Sequence, residues 1–279
     1  MTTYSLASQT DLDALTAQVV AVTAQVGTLA TQVTALASQV SALTIPPPVI
    51  LPPPAFWPNE PTGLTLLTDY PFLDPIPALS ADLAIGNGWH SIYNGAGNVA
   101  LVSGSGAPTA PANILQLKYP VGFAGGSAPG TVYYNLPSVH RLYVGFWWKP
   151  SSPWQGHPSN VNKVGFVLGG GGEMPLVLYG PPGGPYELKF EPEFGSSFWL
   201  EPSVHVPVTL GVWHQVELLL DANAGTADWW LDGQQLGHGA VPYGGPFTLW
   251  NFSATWGGIG SAKTETDFFW YDHAHLSGA

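Results

Sequence analysis

Hydrophobic residues recur at alternating steps of three and four positions along the first part of the chain. The repeat places Leu12, Val19, Val26, Val33 and Val40 at heptad position a, and Leu15, Val22, Leu29, Leu36 and Leu43 at position d. This spacing predicts a coiled-coil helix, because it keeps one narrow apolar seam aligned along the helix. We expect the rod over residues 11–45, roughly 50 Å long, ending where Pro46 disfavours helical geometry in the residue before it.

The polar positions of this helix indicate that it does not stand alone. Gln18, Gln25, Gln32 and Gln39 occupy position g, most other outer positions are Ala, Thr or Ser, and the segment has no Lys or Arg. Such a helix needs association to bury its seam, and a strict 3.5-residue repeat suits a globular face poorly. Val at a with Leu at d favours two strands, whereas uncharged rods of this composition resemble those of trimeric phage fibres. We expect a homotrimer, with a dimer as the alternative.

Prolines mark the segment that follows. Residues 46–61 read PPPVILPPPAFWPNEP and predict a stiff polyproline II neck. A plain spacer is the simpler interpretation, although PxxP runs also serve as ligands of SH3-type domains. Phe56 and Trp57 are expected to dock on the domain beyond the neck, and residues 1–10 are expected to form an attachment peptide.

From residue 62 to residue 279 the pattern changes to short apolar runs separated by Gly, Pro, Asn and Ser. In one run Leu142, Val144, Phe146 and Trp148 share one face while Trp147 lies on the other, which is the two-residue period of a strand. The predicted strands are Ile114–Tyr119, Thr131–Leu136, Leu142–Lys149, Lys163–Leu168, Pro175–Tyr179, Glu187–Glu191, Trp213–Leu220, Ala227–Leu231, Phe247–Phe252 and Thr266–Ser277. Residues 62–279 are therefore predicted to form one all-β sandwich or jelly-roll head.

Composition narrows the function classes. Only 9% of residues are charged and the formal net charge is −12, so the 6 Lys+Arg cannot form the cationic surface that nucleic acid requires. No run approaches the roughly 18 consecutive apolar residues of a membrane span, and no secretory signal is visible, so we expect no membrane insertion. The chain has no cysteine, which excludes disulfides and thiol catalysis.

Two segments near the end of the chain carry a resemblance. The stretch from Gly211 to Glu217, then Asp228-Trp-Trp-Leu-Asp-Gly233, resembles the penultimate hairpin of concanavalin A-like lectin/glucanase domains. The segment from Asp267 to His273 resembles their last strand, which returns to pair near the first. The resemblance implies a jelly roll of two curved antiparallel sheets, the concave one often binding glycans.

Because that superfamily includes hydrolases and lyases, catalysis has to be considered. Glu187, Glu191 and Glu193 lie near one another in sequence, but Pro192 interrupts the strand and the central aspartate of the hydrolase motif is absent. Solvated carboxylates on an edge strand are the simpler interpretation. Arg141, the single arginine, lacks the neighbouring motif of the lyases. We therefore expect no enzyme.

Tryptophan supplies the candidate binding residues, because indole faces stack on sugar rings while amides and carboxylates take the hydroxyls. For each tryptophan the competing interpretation is core packing. The adjacent pairs at 147–148 and 229–230 must each place one member on an outer face. The predicted set for glycan is Trp147, Lys149, Gln215, Glu217 and Trp230 on the concave face, with Trp154 and His157 at its rim.

Metal ligands are less well supported. Calcium is common in the resembling domains, and Asp221, Asn223 and Asp228 in the hairpin turn are the candidates, although turn chemistry explains them equally well. His273 and His275 form an H-x-H pair for which a structural role is favoured over zinc. No other cofactor is expected.

These expectations combine into one prediction. The chain is an oligomeric adhesin, a viral fibre, spike or capsid-decorating protein, whose lectin-like heads contact cell-surface glycan. Its place is the virion surface after assembly in the host cytoplasm, with an extracellular protein as the alternative, and its N-terminus is expected to attach to virion or capsid proteins. A glycan depolymerase on the same fold and a purely structural decoration protein are the rivals.

Overall fold

The computed structural model describes residues 9–42, 57–104, 106–195 and 199–279. The chain divides between Phe56 and Trp57 into two compact units, an N-terminal unit and a C-terminal β domain. Residues 1–8 of the predicted attachment peptide and residues 43–56, which include Leu43, most of the predicted neck and Phe56, lie outside the described residues. The four-part division of the chain therefore stays a prediction.

The N-terminal unit contains one helix, α1, over Gln9–Ala42. The a and d side chains that the structure describes, from Leu12 to Val33, are exposed in the single chain, Leu12 at 51% and Val33 at 63% of full exposure. Threonine hydroxyls along the helix donate to the carbonyl four residues earlier, as Thr16 does to Leu12 at 2.8 Å and Thr23 to Val19 at 2.8 Å. The helix thus has an unburied apolar seam, and these threonine hydroxyls are hydrogen-bonded within the helix. Its pairing as a coiled coil stays a prediction.

The same helix meets the length and composition of a membrane span. Within the described residues, Thr10–Ala35 forms a 26-residue segment with a mean hydropathy of 1.3, none of it buried. The sequence expectation counted consecutive apolar residues and missed this segment, because Ala and Thr between the Val and Leu positions keep the average high. Four glutamines at position g oppose insertion, since an amide without a partner costs several kcal/mol in hydrocarbon.

Fifteen strands build the C-terminal unit. They are β1 Thr65–Tyr70, β2 Leu83–Gly86, β3 Trp89–Ile92, β4 Val99–Ser103, β5 Asn113–Tyr119, β6 Thr131–Val139, β7 Arg141–Pro150, β8 Val161–Gly169, β9 Gly172–Tyr179, β10 Glu187–Phe190, β11 His214–Asp221, β12 Thr226–Leu231, β13 Gln234–Ala240, β14 Phe247–Phe252 and β15 Asp267–Gly278. Each predicted strand corresponds to an observed one; β1 to β4 and β13 were not predicted.

The strands form two antiparallel sheets packed as a sandwich, as the jelly-roll prediction requires. Sheet A has the order β13-β12-β11-β7-β15-β5-β4, with β1 also paired to β15, and sheet B has the order β10-β9-β8-β14-β6-β3-β2. The predicted hairpin is confirmed as β11 and β12, and the predicted return of the last strand to the first is confirmed by the pairing of β15 with β1.

Large aromatic side chains fill the space between the sheets. Trp89 is fully buried and stacks between Tyr70 and Phe252, with both ring centroids 5.8 Å away. From sheet A, Trp148 and Trp229 also point inward and are fully buried. Burying rings of this size contributes most of the hydrophobic stabilisation of a β sandwich. The outer faces of both sheets are thereby left as the surfaces on which a ligand can bind.

Candidate functional site

The adjacent tryptophan pairs behave as the two-residue period predicts. Trp148 and Trp229 are core residues, while Trp147 and Trp230 point to the outer face of sheet A. Trp147 is half-buried there, but Trp230 is only 8% exposed. Trp250 and Trp256 are core residues, and Trp199 is half-buried beside Tyr179, with ring centroids 5.1 Å apart.

Two residues predicted for the rim are buried, so that placement was wrong. Trp154 is 2% exposed and stacks on Phe269 with ring centroids 4.1 Å apart. Its ring also lies 3.8 Å from the ammonium of Lys263, which is ion-paired with Asp267. His157 is 3% exposed, and its Nδ1 lies 2.8 Å from Ser159 Oγ. Burial, together with the charge of Lys263, lowers the pKa of His157.

Glu217 and Trp230 are also buried, contrary to the prediction of an accessible set. For Glu217 the cause is an N-terminal strap, residues 57–60, which lies on the outer face of sheet A. The backbone N–H of Asn59 donates to Glu217 Oε2 at 3.0 Å, and its side-chain amide donates to Oε1 at 2.9 Å. Tyr143 donates a further hydrogen bond to Glu217. Glu217 is fully buried and serves to hold the strap.

Trp57 is the hydrophobic anchor of the strap. Its indole is 6% exposed and lies over Gly145 of β7, where any Cβ would overlap the ring. It also packs against the rings of His273 and His275, with centroids 6.1 and 5.6 Å away. A glycine in the middle of a strand, normally unfavourable, is therefore explained by the close approach of this ring.

The predicted H-x-H pair belongs to the same contact. His273 Nε2 donates to Asp69 Oδ1 at 2.6 Å, and His275 Nδ1 donates to the same oxygen at 3.1 Å. On its other side His275 Nε2 lies 3.2 Å from Glu60 Oε1, and Ser277 donates to Glu60 at 2.5 Å. The arrangement supports the structural interpretation of the two histidines rather than a zinc site.

This cluster makes the strap contact dependent on pH. Burial lowers the pKa of His275, but the hydrogen bonds to Asp69 and Glu60 outweigh burial and raise it above 6.5. Burial raises the pKa of Asp69, but the bonds from His273 and His275 outweigh it and hold that pKa well below 3.8. The stabilisation of the folded domain by protonated His275 is fully present below about pH 6.5 and is lost as pH rises through the raised pKa of His275. The stabilisation by ionised Asp69 is present above about pH 4 and is lost in stronger acid.

We expect His275→Gln to lower the free energy of unfolding most at mildly acidic pH. The gap between wild type and variant should narrow as pH rises from about 5 to about 9, because the wild type loses its proton over that range. Ser277→Ala is the control, since it removes a strap contact without removing a titratable group, and its gap should stay constant. Urea denaturation at each pH measures both gaps. If the difference in free energy of unfolding between wild type and His275→Gln does not vary with pH, protonated His275 does not stabilise the strap contact.

The predicted calcium ligands are used by the hairpin itself. Asp221 Oδ1 accepts hydrogen bonds from the backbone of Asn223 and Ala224, at 3.0 and 2.9 Å, and Asp221 Oδ2 lies 3.3 Å from Arg141. Asp228 Oδ1 accepts from Gln235 and His238. Among the residues that the structure describes, no group of three or more His, Cys, Asp or Glu side chains is arranged to hold a metal ion.

The other three predicted residues come together on sheet A. Gln215 lies directly across from Trp147, and Lys149 is the next outward residue along β7. All three are half-buried. The structure thus groups Trp147, Lys149 and Gln215. It covers Glu217 with the strap, buries Trp230, and places Trp154 and His157 in the interior.

Sheet B carries two cavities that the sequence did not indicate. The first, about 300 Å³, is lined by residues that include Tyr179, Glu187 and His205. The second, about 370 Å³, is lined by residues that include Lys163, Phe166, Glu173, Asn251 and Thr255. Lys163 is paired with Val177, two residues from Tyr179 along β9, so the cavities are neighbours on one outer face. We call them together the sheet B groove.

Charged side chains at the first cavity are paired with one another. His205 Nδ1 lies 2.7 Å from Glu187, and Lys189 lies 3.2 Å from Glu187 and 2.6 Å from Glu201. Burial alone would raise the pKa of Glu187, but the bonds from His205 and Lys189 outweigh it and lower that pKa. Burial likewise lowers the pKa of Lys189, and its two carboxylate partners reverse this and raise it. Both groups are therefore charged at neutral pH.

The carboxylate run that includes Glu187 was only partly understood from sequence. Strand β10 ends at Phe190, before Pro192, as predicted for an interrupted strand. However, Glu191 is 5% exposed and Glu193 lies 3.2 Å from Lys163. The expectation of solvated edge carboxylates is wrong for Glu191, which is buried, whereas Glu193 is half-buried and ion-paired with Lys163 of β8.

The comparisons with known proteins concern the fold. No protein-family model and no curated protein matches the chain. A variant of the alginate lyase Aly36B, solved with an alginate trisaccharide, matches with a TM-score of 0.51 and 15% identity over 74% of this chain and 97% of that one. Domain 4 of AbnA, a GH43 extracellular arabinanase from Geobacillus stearothermophilus, solved with arabinotriose, has a TM-score of 0.47 and 14% identity over 77% and 93%. The cellulose-induced protein Cip1 has a TM-score of 0.45 and 16% identity over 65% and 85%. At these identities the likeness shows the β-sandwich, jelly-roll-like fold alone.

Proposed function

We propose that the C-terminal domain is a polysaccharide-binding domain and that the sheet B groove is its site. The observation that carries this proposal is the pair of neighbouring cavities on one rigid sheet face, lined by Tyr179, Phe166, Asn251 and charged groups. Aromatic rings take the apolar faces of sugars, and amide, hydroxyl and ionised groups take their hydroxyls. One solved protein of similar fold, the alginate lyase variant with its trisaccharide, is in keeping with this proposal.

The protonation states of the charged groups at the first cavity favour binding without catalysis. A glycoside hydrolase needs one carboxylic acid with a raised pKa to protonate the leaving oxygen. At the first cavity the pKa of Glu187 is lowered instead, by His205 and Lys189. Lys189 is held protonated by Glu187 and Glu201, so it is no general base. The domain is accordingly proposed to be non-catalytic.

A depolymerase is the second candidate, and one observation favours it. Tyr179 and His205 line the same cavity as Glu187, and the ammonium of Lys189 lies 4.2 Å from the Tyr179 ring centroid. Tyrosine and histidine are proton-transfer groups when a substrate is in reach. Release of reducing ends or unsaturated uronates from a bound polysaccharide decides between the two candidates, and product formation lost in Tyr179→Phe would establish the enzyme.

For the whole chain we propose an oligomeric adhesin of the fibre or capsid-decorating type. The exposed heptad seam of α1 supports assembly. Val at a with Leu at d favours two strands, and we prefer three copies because the uncharged composition resembles the rods of trimeric phage fibres. A virion surface and N-terminal attachment to virion or capsid proteins remain part of the proposal, with an extracellular adhesin as the alternative. A purely structural decoration protein is the rival that a domain without any glycan ligand would favour.

The groove predicts which substitutions weaken binding. We expect Tyr179→Ala and Asn251→Ala each to weaken the best-bound polysaccharide by at least about ten-fold, because each removes a stacking or hydrogen-bonding partner. Affinity electrophoresis of the full chain on alginate, arabinan and bacterial capsule polysaccharides measures the effect. Tyr93→Ala, at a tyrosine that is 69% exposed and lines neither cavity, is the matched control. Equal retention of all three variants and wild type would remove the groove from the proposal.

A further inference from the structure

Aromatic and basic side chains form a second surface, on the outer face of sheet A. Trp270 of β15 is paired with Gln116 of β5 on one side and with Lys149 of β7 on the other. Trp213 directly precedes β11 and lies next to Lys149, since His214 is paired with Trp148. The residues Lys118 and Phe268 form the neighbouring row. We call Gln116, Lys118, Lys149, Trp213, Phe268 and Trp270 the outer platform.

The contacts within the outer platform fix its cation in place. The ammonium of Lys149 lies 4.8 Å from the ring centroid of Trp213 and 4.7 Å from that of Trp270. Trp270 donates from Nε1 to Gln116 Oε1 at 3.1 Å and stacks on Phe268, with ring centroids 5.2 Å apart and planes 13° apart. Two indoles therefore hold the ammonium between them on a rigid face, in a position where it can meet a ligand.

Charge pairing distinguishes this surface from the rest of the chain. The 6 Lys+Arg face 18 Asp+Glu, and four of the basic residues are ion-paired: Arg141 with Asp221, Lys163 with Glu193, Lys189 with Glu187 and Glu201, and Lys263 with Asp267. Within the described residues the other two, Lys118 and Lys149, have no carboxylate within 4.0 Å. Both lie on the outer platform, whereas every other Lys or Arg of the chain is paired with a carboxylate.

Asp272, a carboxylate on the strand next to β7, has another role. Asp272 is paired with Trp147 across the strands, but it is fully buried and accepts two hydrogen bonds from Thr109, at 2.9 and 2.8 Å. Burial lowers the pKa of Lys149, which is the direction expected of a cation that is partly removed from water with no anion beside it. An anion supplied by a ligand would offset the free-energy cost of partly removing the Lys149 ammonium from water.

We propose that the outer platform is a second carbohydrate site, which binds uronate residues of an acidic polysaccharide through Lys149. The carboxylate would pair with the ammonium, and the rings of Phe268, Trp270 and Trp213 would pack against the sugars on either side. Two lysines are too few for a duplex nucleic acid, whose binding requires many phosphate contacts. A neutral glycan would leave the partly desolvated cation unpaired. The site lies on the sheet opposite the groove and does not depend on it.

The experiment compares one polysaccharide with and without its charge. Polygalacturonate and the same polymer after reduction of its carboxyl groups are immobilised, and binding of the full chain is measured. We expect the acidic form to bind at least about ten-fold more tightly, and binding to weaken between about 50 and 300 mM salt. Lys149→Gln should lower the affinity for the acidic form at least about ten-fold and change the affinity for the reduced form little. Trp270→Ala should weaken both forms, since it removes packing area.

Matched variants separate this site from the groove. Lys163→Gln removes a lysine that is ion-paired on sheet B, and Tyr179→Ala damages the groove, so neither should affect the charge-dependent part of binding. The proposal is overturned if Lys149→Gln binds polygalacturonate like wild type, or if both forms of the polymer bind equally. It is also overturned if only the groove variants lose the acidic form, or if duplex DNA binds as tightly as polygalacturonate. Loss of neutral-glycan binding in Tyr179→Ala concerns the groove alone.

Discussion

Replacing Trp89 with alanine is expected to lower the free energy of unfolding by about 3–5 kcal/mol. The side chain is fully buried and lies between Tyr70 and Phe252, and its Nε1 donates to Thr68 at 3.1 Å. Removing it leaves a cavity between the sheets and deprives the Thr68 hydroxyl of one of its two donors, the other being Asn87 Nδ2 at 3.2 Å, and two stacked rings lose their partner. Urea denaturation of the full chain, followed by tryptophan fluorescence and circular dichroism, measures the change.

Trp213→Ala is the matched control for this prediction. Trp213 is half-buried on the outer platform, where its ring centroid lies 4.8 Å from the Lys149 ammonium. Its removal should therefore cost only about 1 kcal/mol, the usual size of a partly exposed cation–π contact. If Trp89→Ala and Trp213→Ala have the same effect, Trp89 does not anchor the core and the packing between the sheets is misplaced.

Strands with a long two-residue period could be predicted from the sequence. In β7 the inward residues Leu142, Val144, Phe146 and Trp148 are all apolar, and the outward ones are not uniformly so. The short strands could not be found this way, because four residues such as Leu83–Gly86 contain too few alternations to show a period. In β13, Gly237 interrupts the apolar pattern, and its missing side chain makes room for the indole of Trp229.

The face of a residue could be predicted, but what covers that face could not. The period correctly placed Glu217 and Trp230 on the outer side of sheet A. The strap that buries Glu217 comes from Asn59, 158 residues earlier in the chain. No local pattern encodes a contact of that separation. The expected docking of Trp57 is confirmed by its packing on Gly145, His273 and His275, but the sequence did not indicate that Asn59 would cover Glu217. Trp154 was misplaced for a similar reason, since its burial depends on contacts with Phe269 and Lys263, more than 100 residues later in the chain.

The sheet B groove was missed because its residues meet only when strands from different parts of the chain pair, as Phe166 of β8 does with Asn251 of β14. Glu187 was noted within a carboxylate run, but the residues that give it a role are Lys189, His205 and the neighbouring Tyr179. Their meeting follows from the order β10-β9-β8 of sheet B, which the sequence did not supply. Lys149 was recognised as a candidate, whereas its position between Trp213 and Trp270 required the strand register.

Removal of residues 1–56 is expected to convert an oligomer into a folded monomer. The β domain begins at Trp57 and retains the strap and its own core. The apolar seam of α1, with Leu29 at 62% and Val26 at 61% exposure, is lost with the deletion. Light scattering in detergent-free buffer should give three copies for the full chain and one for the truncated chain, with unchanged unfolding of the domain.

Point substitutions test the seam without a deletion. Leu29→Lys places a charge at position d and should dissociate the assembly, because a buried lysine without a partner costs several kcal/mol. Gln32→Lys, at position g, is the matched control and should leave the oligomer intact. A full chain that stays soluble and oligomeric only in detergent would favour the membrane-spanning reading of the segment Thr10–Ala35.

Loss of assembly should weaken retention on immobilised polysaccharide far more than it changes binding at a single site. Linked heads rebind before the assembly can leave the surface, so avidity exceeds the single-site affinity by roughly 100-fold or more when the spacing allows two heads to engage. Leu29→Lys and the truncated chain should therefore be retained equally weakly, while both keep the wild-type affinity for a short soluble oligosaccharide. A truncated domain that is still trimeric would place the main interface on the β sandwich instead. Equal retention of monomer and oligomer would mean that the heads do not bind the surface together, and the rod would then have a structural role only.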